Sequence, residues 1–223
     1  EIGWPTIDSK HLLVDSKQML KLEKEMFFDG MPQEALMEKA GIQISLWLLK
    51  RKHLLKHGII VLIGPGHNGG DGAVIARELS LKGCLVKVWC PFPIKKKLTT
   101  DHINYLTSNG VTKLVDPPDE NGKELWIDAV FGNNQTRKVD NKLIKLLNQK
   151  FHNKKGKVVS IDVPTGLCPD KGEPFLDSAV KANYTLAIGL NKIGLTQDSA
   201  LPFIGELHNI DIGIPKNKLS KVE

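Results

Sequence analysis

The sequence predicts a doubly wound α/β fold, in which helices cover both faces of a mostly parallel sheet in three αβα layers. Two observations predict this fold. Short apolar runs alternate with amphipathic helical patterns through most of the chain, and glycine-rich or polar segments follow the apolar runs. This alternation is typical of crossover units, because the strands of a parallel sheet are buried on both faces. A length of 223 residues fits one such domain with an ample core.

Two helices are predicted before the first strand. The first spans residues 15–28, where Asp15 or Ser16 is placed to accept hydrogen bonds from the first free amides. Its apolar residues recur at three- and four-residue steps: Met19, Leu22 and Met26. The second helix begins near Pro32, which is a favourable residue for a first turn. Its apolar stripe, which is expected to pack against the sheet, consists of Leu36, Ala40, Ile44 and Leu48.

Six strand-like runs follow, and helical patterns separate the earlier ones. The strand-like runs lie at 59–64, 85–90, 124–132, 157–166, 184–189 and 206–213. The helical patterns lie at 72–83, 99–110 and 141–151. Ligands of open α/β sheets bind in the crevice outside the carboxyl ends of the strands. The segments that follow the strands are therefore the candidate site.

Composition narrows the class of protein. Apolar residues make up 41% and charged residues 25%, and we recognise neither an apolar run that would span a bilayer nor a secretion signal. The net charge is +6, but the basic residues lie in separate clumps without interleaved aromatic residues, at 50–57, 95–97 and 153–157. We interpret these clumps as solvated surface, so nucleic acid is not expected as a partner. Three cysteines without metal-ligand spacing favour a reducing compartment, the cytoplasm.

The segment "GPGHNGGDG" at 64–72 is predicted to bind phosphate. Gly64, Gly66 and Gly69 match the spacing of a dinucleotide-binding loop between a strand and a helix. The acidic residue that usually ends the next strand is missing from "KVWCPFP", and Gly70 stands where a Walker loop has lysine. What remains is a glycine-rich turn whose amides, with the positive end of a helix behind them, favour an anion.

Acidic residues accompany this loop and end two of the apolar strands. Asp71 is predicted to lie in the first turn of the helix that follows the loop, where it either caps free amides or meets a ligand. Asp128 and Asp162 lie within apolar runs, where a carboxylate needs a partner. The oxygen-bearing side chains expected to converge are Asn68, Asp71, Asp128, Asp162 and Thr165. This set suits a hard cation rather than zinc, and hydrogen bonding to loop amides is the alternative for each aspartate.

Six segments together resemble the YjeF N-terminal family, the NAD(P)H-hydrate epimerases. They are "ALMEKAG" (35–41), "GPGHNGGDG" (64–72), "DAVFG" (128–132), "SIDVPTGLCPDKGE" (160–173), "VKANYTLAIGLNKIGL" (180–195) and "IGELHNIDIGIP" (204–215). They run in order from about Asp15 to Pro215. We therefore expect one domain over 1–223 with its core at about 15–215, which can be the N-terminal half of a longer bifunctional chain.

The resemblance implies an activity and its partners. Members of the family are isomerases that interconvert the R and S forms of hydrated NADH and NADPH (NADHX and NADPHX), so that an ATP- or ADP-dependent dehydratase restores the coenzyme. It also implies a Rossmann-like fold, a homodimer, one potassium ion per subunit and a functional link to the dehydratase, which can be fused to the chain.

The resemblance further implies roles for individual residues. The potassium ligands are Asn68, Asp128 and Thr165. The residues expected to bind the substrate are His67, Asn68, Gly69, Gly70, Asp71, Gly132, Asn133, Asn134, Gln135, Thr136, Arg137, Lys138 and Asp162. Asp162 is the expected catalytic acid or base, with Asp71 as the second candidate, because a carboxylate in a partly dry crevice can have its pKa moved toward neutrality.

Two segments depart from the family pattern. His67 stands where asparagine is usual, and without an evident orienting partner we interpret it as a tolerated loop residue. The segment "GNNQTRK" (132–138) replaces a turn of the Gly-Thr-Gly type. There Asn133 and Asn134 tolerate positive φ and can donate hydrogen bonds, and the two basic residues at its end are expected to meet phosphate. Lys181 and Lys192 are further candidates to line the crevice, although lysines mostly lie at the surface and we interpret them in that way.

Two other functions remain open from the sequence. One is a non-catalytic module of the same fold, a dimerising scaffold or nucleotide-binding domain, although the retained acids at the strand ends argue against it. The other is a nicotinamide oxidoreductase, which the missing ribose-binding acid disfavours.

Overall fold

A seven-stranded parallel sheet forms the centre of the molecule. The computed structural model describes residues 11–136 and 139–222. The strands of both the main sheet and a separate small sheet are, in chain order, β1 (Leu13–Val14), β2 (Ile59–Ile63), β3 (Val86–Trp89), β4 (Thr112–Leu114), β5 (Leu125–Ala129), β6 (Val158–Ile161), β7 (Tyr184–Ile188), β8 (Asn191–Lys192) and β9 (Glu206–Ile210). The main sheet has the order β4-β3-β2-β5-β6-β7-β9, and every pairing in it is parallel. The predicted fold class is confirmed.

The helices lie on both faces of this sheet. They are α1 (Ser16–Phe28), α2 (Gln33–Leu49), α3 (Lys52–Leu55), α4 (His67–Leu81), α5 (Lys97–Ser108), α6 (Asn141–His152), α7 (Leu201–Ile204) and α8 (Lys216–Leu219). None of these described helices combines the length and the apolar character that a bilayer span requires. The five long helical patterns read from the sequence all form helices.

Two apolar cores, one on each face of the sheet, explain the three layers. The alternate residues of β2 divide between them: Ile59, Val61 and Ile63 join one core and Ile60 and Leu62 the other. The first core takes the stripe of α2 together with α4 and α5, and the second takes the apolar side of α6. Because side chains of a strand point alternately to the two faces, a wholly apolar strand needs a helix layer on each face.

The direction of the chain reverses at β2. The chain passes from β2 outward to β3 and β4, then returns to β5 on the other side of β2 and continues outward to β9. The loops that leave β2 and β5 therefore diverge, and a crevice opens between them at the carboxyl ends of the strands. Such a switch point is where doubly wound sheets bind ligands.

Helix α1 lies over this crevice and is held there by side chains from distant loops. Its start forms the predicted cap, because Asp15 accepts a hydrogen bond from the Gln18 amide (2.7 Å) and Gln18 accepts one from the Asp15 amide (2.8 Å). Asp170 then accepts hydrogen bonds from the amide and the hydroxyl of Ser16, at 2.6 and 2.8 Å. The side-chain amide of Asn133 donates to the Ser16 carbonyl (3.1 Å).

Three short strands were not expected from the sequence. The two-residue strands β1 and β8 pair in parallel as a separate small sheet, and β4 has only three residues at the edge of the main sheet. Strands this short carry no alternating apolar pattern, so only their pairing partners identify them.

Candidate functional site

A cavity of about 520 Å³ opens at the switch point. The loops after β2 and β5 form two of its walls, and residues of α1 and α2 form a third. Its apolar lining includes Phe27, Leu36, Met37, Ile188 and Ile212. A cleft that combines apolar side chains with converging polar groups is typical of a small-molecule site.

The glycine-rich loop ends earlier than the sequence suggested. Helix α4 already begins at His67, with Gly66 as its N-cap residue, so residues 67–70 form the first helical turn. Its free amides are at the wall of the cleft, where the positive end of the helix favours an anion. A side chain at Gly64 would overlap the Val130 carbonyl, and one at Gly69 the Gly64 carbonyl. These glycines therefore permit the close approach of the two loops.

Asp71 does not cap the helix. It is the fifth residue of α4, the N-cap residue makes no side-chain hydrogen bond, and the first turn holds no acid. The capping interpretation is wrong because the helix starts inside the glycine-rich segment. Asp71 instead lines the cleft. Burial raises its pKa well above the usual range, and the charges of Asp162 and Glu23 add to this, whereas Lys192 opposes it.

Asp162 follows β6 and lies at the centre of the polar network. Its φ of 69° makes it the one non-glycine residue with a positive φ among residues 11–136 and 139–222. Its Oδ1 accepts hydrogen bonds from Lys192 Nζ (2.5 Å) and the Ile188 amide (3.2 Å), and its Oδ2 accepts one from the Asn133 amide (2.7 Å). Such backbone strain at a cleft is characteristic of functional positions.

Lys192 is a buried partner rather than the surface residue expected from the sequence. Its side chain is 1% exposed, and its Nζ also donates to the Ile188 carbonyl (2.9 Å). The apolar run around it, "AIGLNKIGL", is the signal that should have indicated burial. Lys181 is half-buried and lies outside the residues that line the cleft.

Glu23 is the third carboxyl group of the cleft and was not found from the sequence. It extends from α1, one turn before Phe27, and both line the cavity. Burial raises the pKa of Glu23 to about 7; the charge of Asp162 adds to this shift and that of Lys192 opposes it. In the sequence, Glu23 stands beside the apolar stripe of the helix. This position does not by itself indicate a site residue, because an acid there usually faces solvent.

Asp128 and Thr165 come together beneath the cleft rather than in its lining. Both are fully buried, and the Thr165 hydroxyl donates to Asp128 Oδ1 at 2.6 Å. Asp128 Oδ2 accepts from the Thr165 amide (2.9 Å) and the Ser160 hydroxyl (2.8 Å), and Oδ1 also accepts from the Val130 amide (3.3 Å). Burial raises the pKa of Asp128, and these hydrogen bonds oppose the shift.

Asn68, the third expected cation ligand, lies on the cleft side. A Cβ atom built on Gly132 would lie 3.1 Å from Asn68 Oδ1 and 2.8 Å from Asp162 Oδ2, so these two side chains meet over Gly132. Within the described residues, the buried Nδ2 atom of Asn68 and Oδ1 atom of Asn133 have no hydrogen-bond partner. Buried polar atoms are rarely left unpaired, so a ligand at this point would satisfy them.

The side chains that contact Asp128 are the hydroxyl groups of Ser160 and Thr165. Across the described part of the chain, no group of three or more His, Cys, Asp or Glu residues is arranged to hold a metal. A cation near Asp128 would therefore need amide, hydroxyl or carbonyl oxygens as well, which suits a hard ion.

The loop after β5 is fixed by its polar side chains. Asn133 and Gln135 are buried, and Gln135 joins the loop to the turn after β6 by donating to the Pro164 carbonyl (3.2 Å) and accepting from the Gly166 amide (2.8 Å). Neither Asn133 nor Asn134 has a positive φ, and the side-chain amide of Asn133 donates a hydrogen bond to the Ser16 carbonyl, as its type allows. The exposed residues Asn134 and Thr136 follow the same loop.

Arg137 and Lys138, which were expected to meet phosphate, lie outside the described residues. Two other basic side chains occupy the wall of the cleft. Lys95 and Lys96 line it, and their backbone amides donate to the Pro65 carbonyl at 2.9 and 3.3 Å. Both are exposed, as expected, but their place beside the glycine loop gives them a role that the solvated-surface interpretation missed.

His67 has the orienting partner that the sequence did not reveal. Its Nδ1 lies 3.0 Å from Gln33 Nε2 at the start of α2. Burial lowers the pKa of His67, and the charge of Lys96 lowers it further. The ring is therefore favoured in its neutral form at the anion-binding wall.

A second cavity of about 550 Å³ adjoins the first and shares Pro65, Lys95, Phe131, Asn134 and Gln135 with it. The Phe92 and Phe131 rings lie 5.9 Å apart, and both line it. The two cavities make an extended cleft: Glu23, Asp71 and Asp162 line the first, and side-chain amides, Lys95, two aromatic rings and Asp140 line the second. This distribution suits proton transfer on a ligand that also carries anionic groups.

Comparisons with known proteins agree with this architecture. A sequence profile of the family described as YjeF-related protein N-terminus matches residues 33–194. The chain is 39% identical over 213 residues to the bifunctional NAD(P)H-hydrate repair enzyme Nnr of Gloeobacter violaceus, across 94% of this chain and 42% of that protein. It is 32% identical over 191 residues to the NAD(P)H-hydrate epimerase of Lentilactobacillus buchneri, across 83% of this chain and 86% of that protein.

The chain thus spans about two fifths of the length of the bifunctional relatives that it matches. Among solved structures, the crystal structure of yeast ynu0 superposes with a TM-score of 0.79 at 22% identity, covering 94% of this chain and 93% of that one. At this level of identity the structural likeness shows the fold.

Proposed function

Because the chain belongs to the YjeF-related N-terminal family, we propose that it is an isomerase that interconverts the R and S forms of hydrated NADH and NADPH. One observation carries the proposal: the acids Glu23, Asp71 and Asp162 line the same cleft as the amide-rich first turn of α4. A hydrated coenzyme needs both features, because it joins a reactive ring to a diphosphate. The relative of similar length is named NAD(P)H-hydrate epimerase, which supports this substrate class.

The diphosphate is assigned to the wall formed by residues 67–70, with Lys95 and Lys96 beside it. Free amides at a helix start and two nearby ammonium groups favour an anion there. The hydrated nicotinamide ring is assigned to the end of the cleft that Asp71 and Asp162 line, beside Phe27, Leu36 and Met37. The loop after β5 would then contact the rest of the ligand through Asn133, Asn134, Gln135 and Thr136.

The chemistry requires a proton donor and a proton acceptor. The inverted carbon carries a hydroxyl group and is bonded to a ring nitrogen. When an acid protonates that hydroxyl, the C–O bond breaks, water leaves and the nitrogen lone pair forms a C=N bond. Water then bonds to the other face of the carbon and returns one proton to a carboxylate, so atoms and charge balance. Asp162 and Asp71 are proposed to exchange these protons.

One potassium ion per subunit is proposed beneath the cleft, held by oxygens of Asn68, Asp128 and Thr165. These residues fit such an ion, because they supply carboxylate, hydroxyl and amide oxygens at the loops that close the site. When bound, the ion supplies positive charge beside the anionic ligand. Asp128 itself joins β5 to the turn after β6 through its hydrogen bonds to Thr165.

The ion has a test that does not depend on activity. Potassium chloride is expected to raise the midpoint of thermal unfolding above that in tetramethylammonium chloride of equal concentration, because a ligand of the folded state stabilises it. Thr165→Val removes one ligand and should abolish this difference, whereas Thr196→Val at an exposed position should keep it. An equal midpoint in both salts for the unsubstituted chain contradicts the potassium site.

The proposal extends to the biological setting. The family resemblance supports a homodimer and a dehydratase partner, and the bifunctional relatives are consistent with a longer fused chain. Cys84, Cys90 and Cys168 are all free thiols, which supports the cytoplasm as the compartment.

The decisive experiment supplies NADPHX to the purified protein and follows its two epimers by proton NMR. Exchange between the epimers well above the spontaneous rate supports the proposal. Binding without faster exchange would favour a non-catalytic module of this fold, and oxidation of a nicotinamide coenzyme by a partner substrate would favour an oxidoreductase.

A further inference from the structure

We propose that Glu23 is a further catalytic residue of this cleft, which exchanges a proton with the hydroxyl group or water on the α1 side of the hydrated ring. The inference rests on the proposed function. It begins from a feature that Asp71 and Asp162 leave unexplained: an acid on a third element lines the cleft beside them.

Inversion of a carbon requires proton transfer on both of its faces. A hydroxyl group that leaves from one face must be replaced by water that arrives at the other. One acid therefore has to protonate the departing oxygen, and one carboxylate has to take a proton from the arriving water. The number of protons is conserved and no oxidant is needed. Asp71 lines the cleft from α4, Asp162 from the turn after β6 and Glu23 from α1, so the three acids reach it from three different elements.

The start of the helix that carries Glu23 is attached to Asn133, the residue that also holds Asp162. The Asn133 amide donates to Asp162 Oδ2 at 2.7 Å, and the Asn133 side chain donates to the Ser16 carbonyl at the start of α1 at 3.1 Å. Asp170 holds Ser16 through two further hydrogen bonds. The helix that carries Glu23 is thus attached to the loop that orients Asp162, as proton transfer between a carboxyl group and a bound ring requires.

The charges around Glu23 favour retention of a proton. The titratable groups that face it are Asp71 from α4, Asp162 after β6 and Lys192 from β8. Three carboxyl groups thus lie near one ammonium group, and that ammonium group already forms an ion pair with Asp162. In a cleft with apolar walls, carboxylates without counter-charges cannot all ionise. Burial, with the charge of Asp162 added to it and that of Lys192 opposing it, raises the pKa of Glu23 to about 7, which suits exchange in either direction near neutrality.

Glu23→Gln tests this role, with Glu25→Gln as a matched control on the same helix. Glu25 does not line the cleft. In the epimer-exchange experiment, Glu23→Gln is expected to lower kcat by about 100-fold in both directions and to leave KM within about twofold, because acid–base groups contribute 100-fold or more. The pH dependence of kcat near 7 should disappear. Glu25→Gln should retain both the rate and the pH profile.

Each outcome decides between the two proposals. If the unsubstituted protein accelerates exchange and Glu23→Gln matches Glu25→Gln, Glu23 is not catalytic and the proposed function stands. If the unsubstituted protein does not accelerate exchange, both proposals are overturned.

A measurement without substrate examines the protonation of Glu23 directly. Carbon-13 NMR of the glutamate carboxyl groups identifies Glu23 as the signal that is absent from the Glu23→Gln spectrum. A titration midpoint close to 7 supports the inference. A midpoint at the ordinary value for glutamate, about 4.3, overturns it whatever the kinetics show.

Discussion

At the scale of single residues, the site depends on a strained aspartate and the buried charge beside it. Asp162 adopts a positive φ, which costs a non-glycine residue about 1–3 kcal/mol. The ion pair with Lys192 and the two amide hydrogen bonds hold it in that conformation. The carboxylate is thus presented to the cleft in one fixed orientation, which preorganises it for chemistry.

Asp162→Asn is expected to destabilise the fold as well as to remove activity. Lys192, 1% exposed, would lose its counter-charge, and breaking a buried pair costs about 3–5 kcal/mol. Urea unfolding measures the loss. Asp101→Asn breaks the exposed pair with Lys97 and should cost less than about 1 kcal/mol. Equal losses for the two variants would contradict the structural importance of the buried pair.

The raised pKa of Glu23 predicts a pH-dependent stability. An acid whose pKa is higher in the folded than in the unfolded chain stabilises the fold below its unfolded pKa, and this contribution is lost as the pH rises through about 7. Glu23→Gln lacks this loss. Its unfolding free energy should therefore rise relative to the unsubstituted protein between pH 5 and 8, by about 3 kcal/mol.

Urea unfolding across that pH range provides the measurement. Glu25→Gln corrects for the removal of one negative charge from the same helix. A difference between Glu23→Gln and the unsubstituted protein that stays constant from pH 5 to 8 would refute the assignment of a raised pKa.

At the scale of elements, the packing of α4 on the sheet explains why glycine stands at position 72, at the end of the glycine-rich segment. A Cβ atom at Gly72 would lie 2.5 Å from the Ala129 Cβ of β5 and 3.2 Å from a Val61 methyl group of β2. The helix therefore approaches the two strands at the switch point more closely than a side chain would allow. This approach places its first turn at the wall of the cleft.

Gly72→Ala is expected to destabilise the protein by about 1–2 kcal/mol. Overpacking costs about 1–3 kcal/mol, whereas the higher helix propensity of alanine returns about 1 kcal/mol at most. Ala129→Gly in the same chain should recover most of the loss, because it removes the clashing atom. Gly66→Ala is the control for unfolding, since no atom lies within 4 Å of its Cβ position. A neutral Gly72→Ala would contradict the close approach.

At the scale of the whole molecule, the N-terminal helix closes a site that the rest of the chain builds. Hydrogen bonds from Ser16 to Asp170 and from Asn133 to Ser16 join the start of α1 to the loops after β6 and β5. The cleft therefore needs residues from β2 through β9 and also the segment before them.

Asp170→Ala is expected to loosen α1 without unfolding the sheet. The amides of α1 should exchange with solvent about fivefold faster, because the lost hydrogen bonds at an exposed site contribute about 1 kcal/mol. Hydrogen exchange resolved by mass spectrometry measures this change against Asp177→Ala, which removes an exposed carboxylate elsewhere. Equal exchange of α1 in both variants would show that Asp170 does not hold the helix.

The sequence by itself determined the features that depend on near neighbours in the chain. Periodicity gave the alternating strands and helices, Asp15 indicated the start of α1, and the glycine-rich segment marked the passage from β2 to α4. These predictions succeed because side chains three or four residues apart share a helix face, and capping involves residues three apart.

Only the tertiary structure determines which charged groups lie close together. Lys192 and Asp162 are thirty positions apart, and nothing in the local pattern of either indicates the pair. In the sequence, Glu23 is an ordinary acid at the edge of an apolar stripe, and only the position of α1 over the cleft distinguishes it. Lys95 and Lys96 likewise belong to an ordinary basic clump, and only the hydrogen bonds of their amides to the Pro65 carbonyl place them at the cleft. The physical reason is that burial and charge act through space, so pKa and orientation depend on groups that the fold alone brings within range.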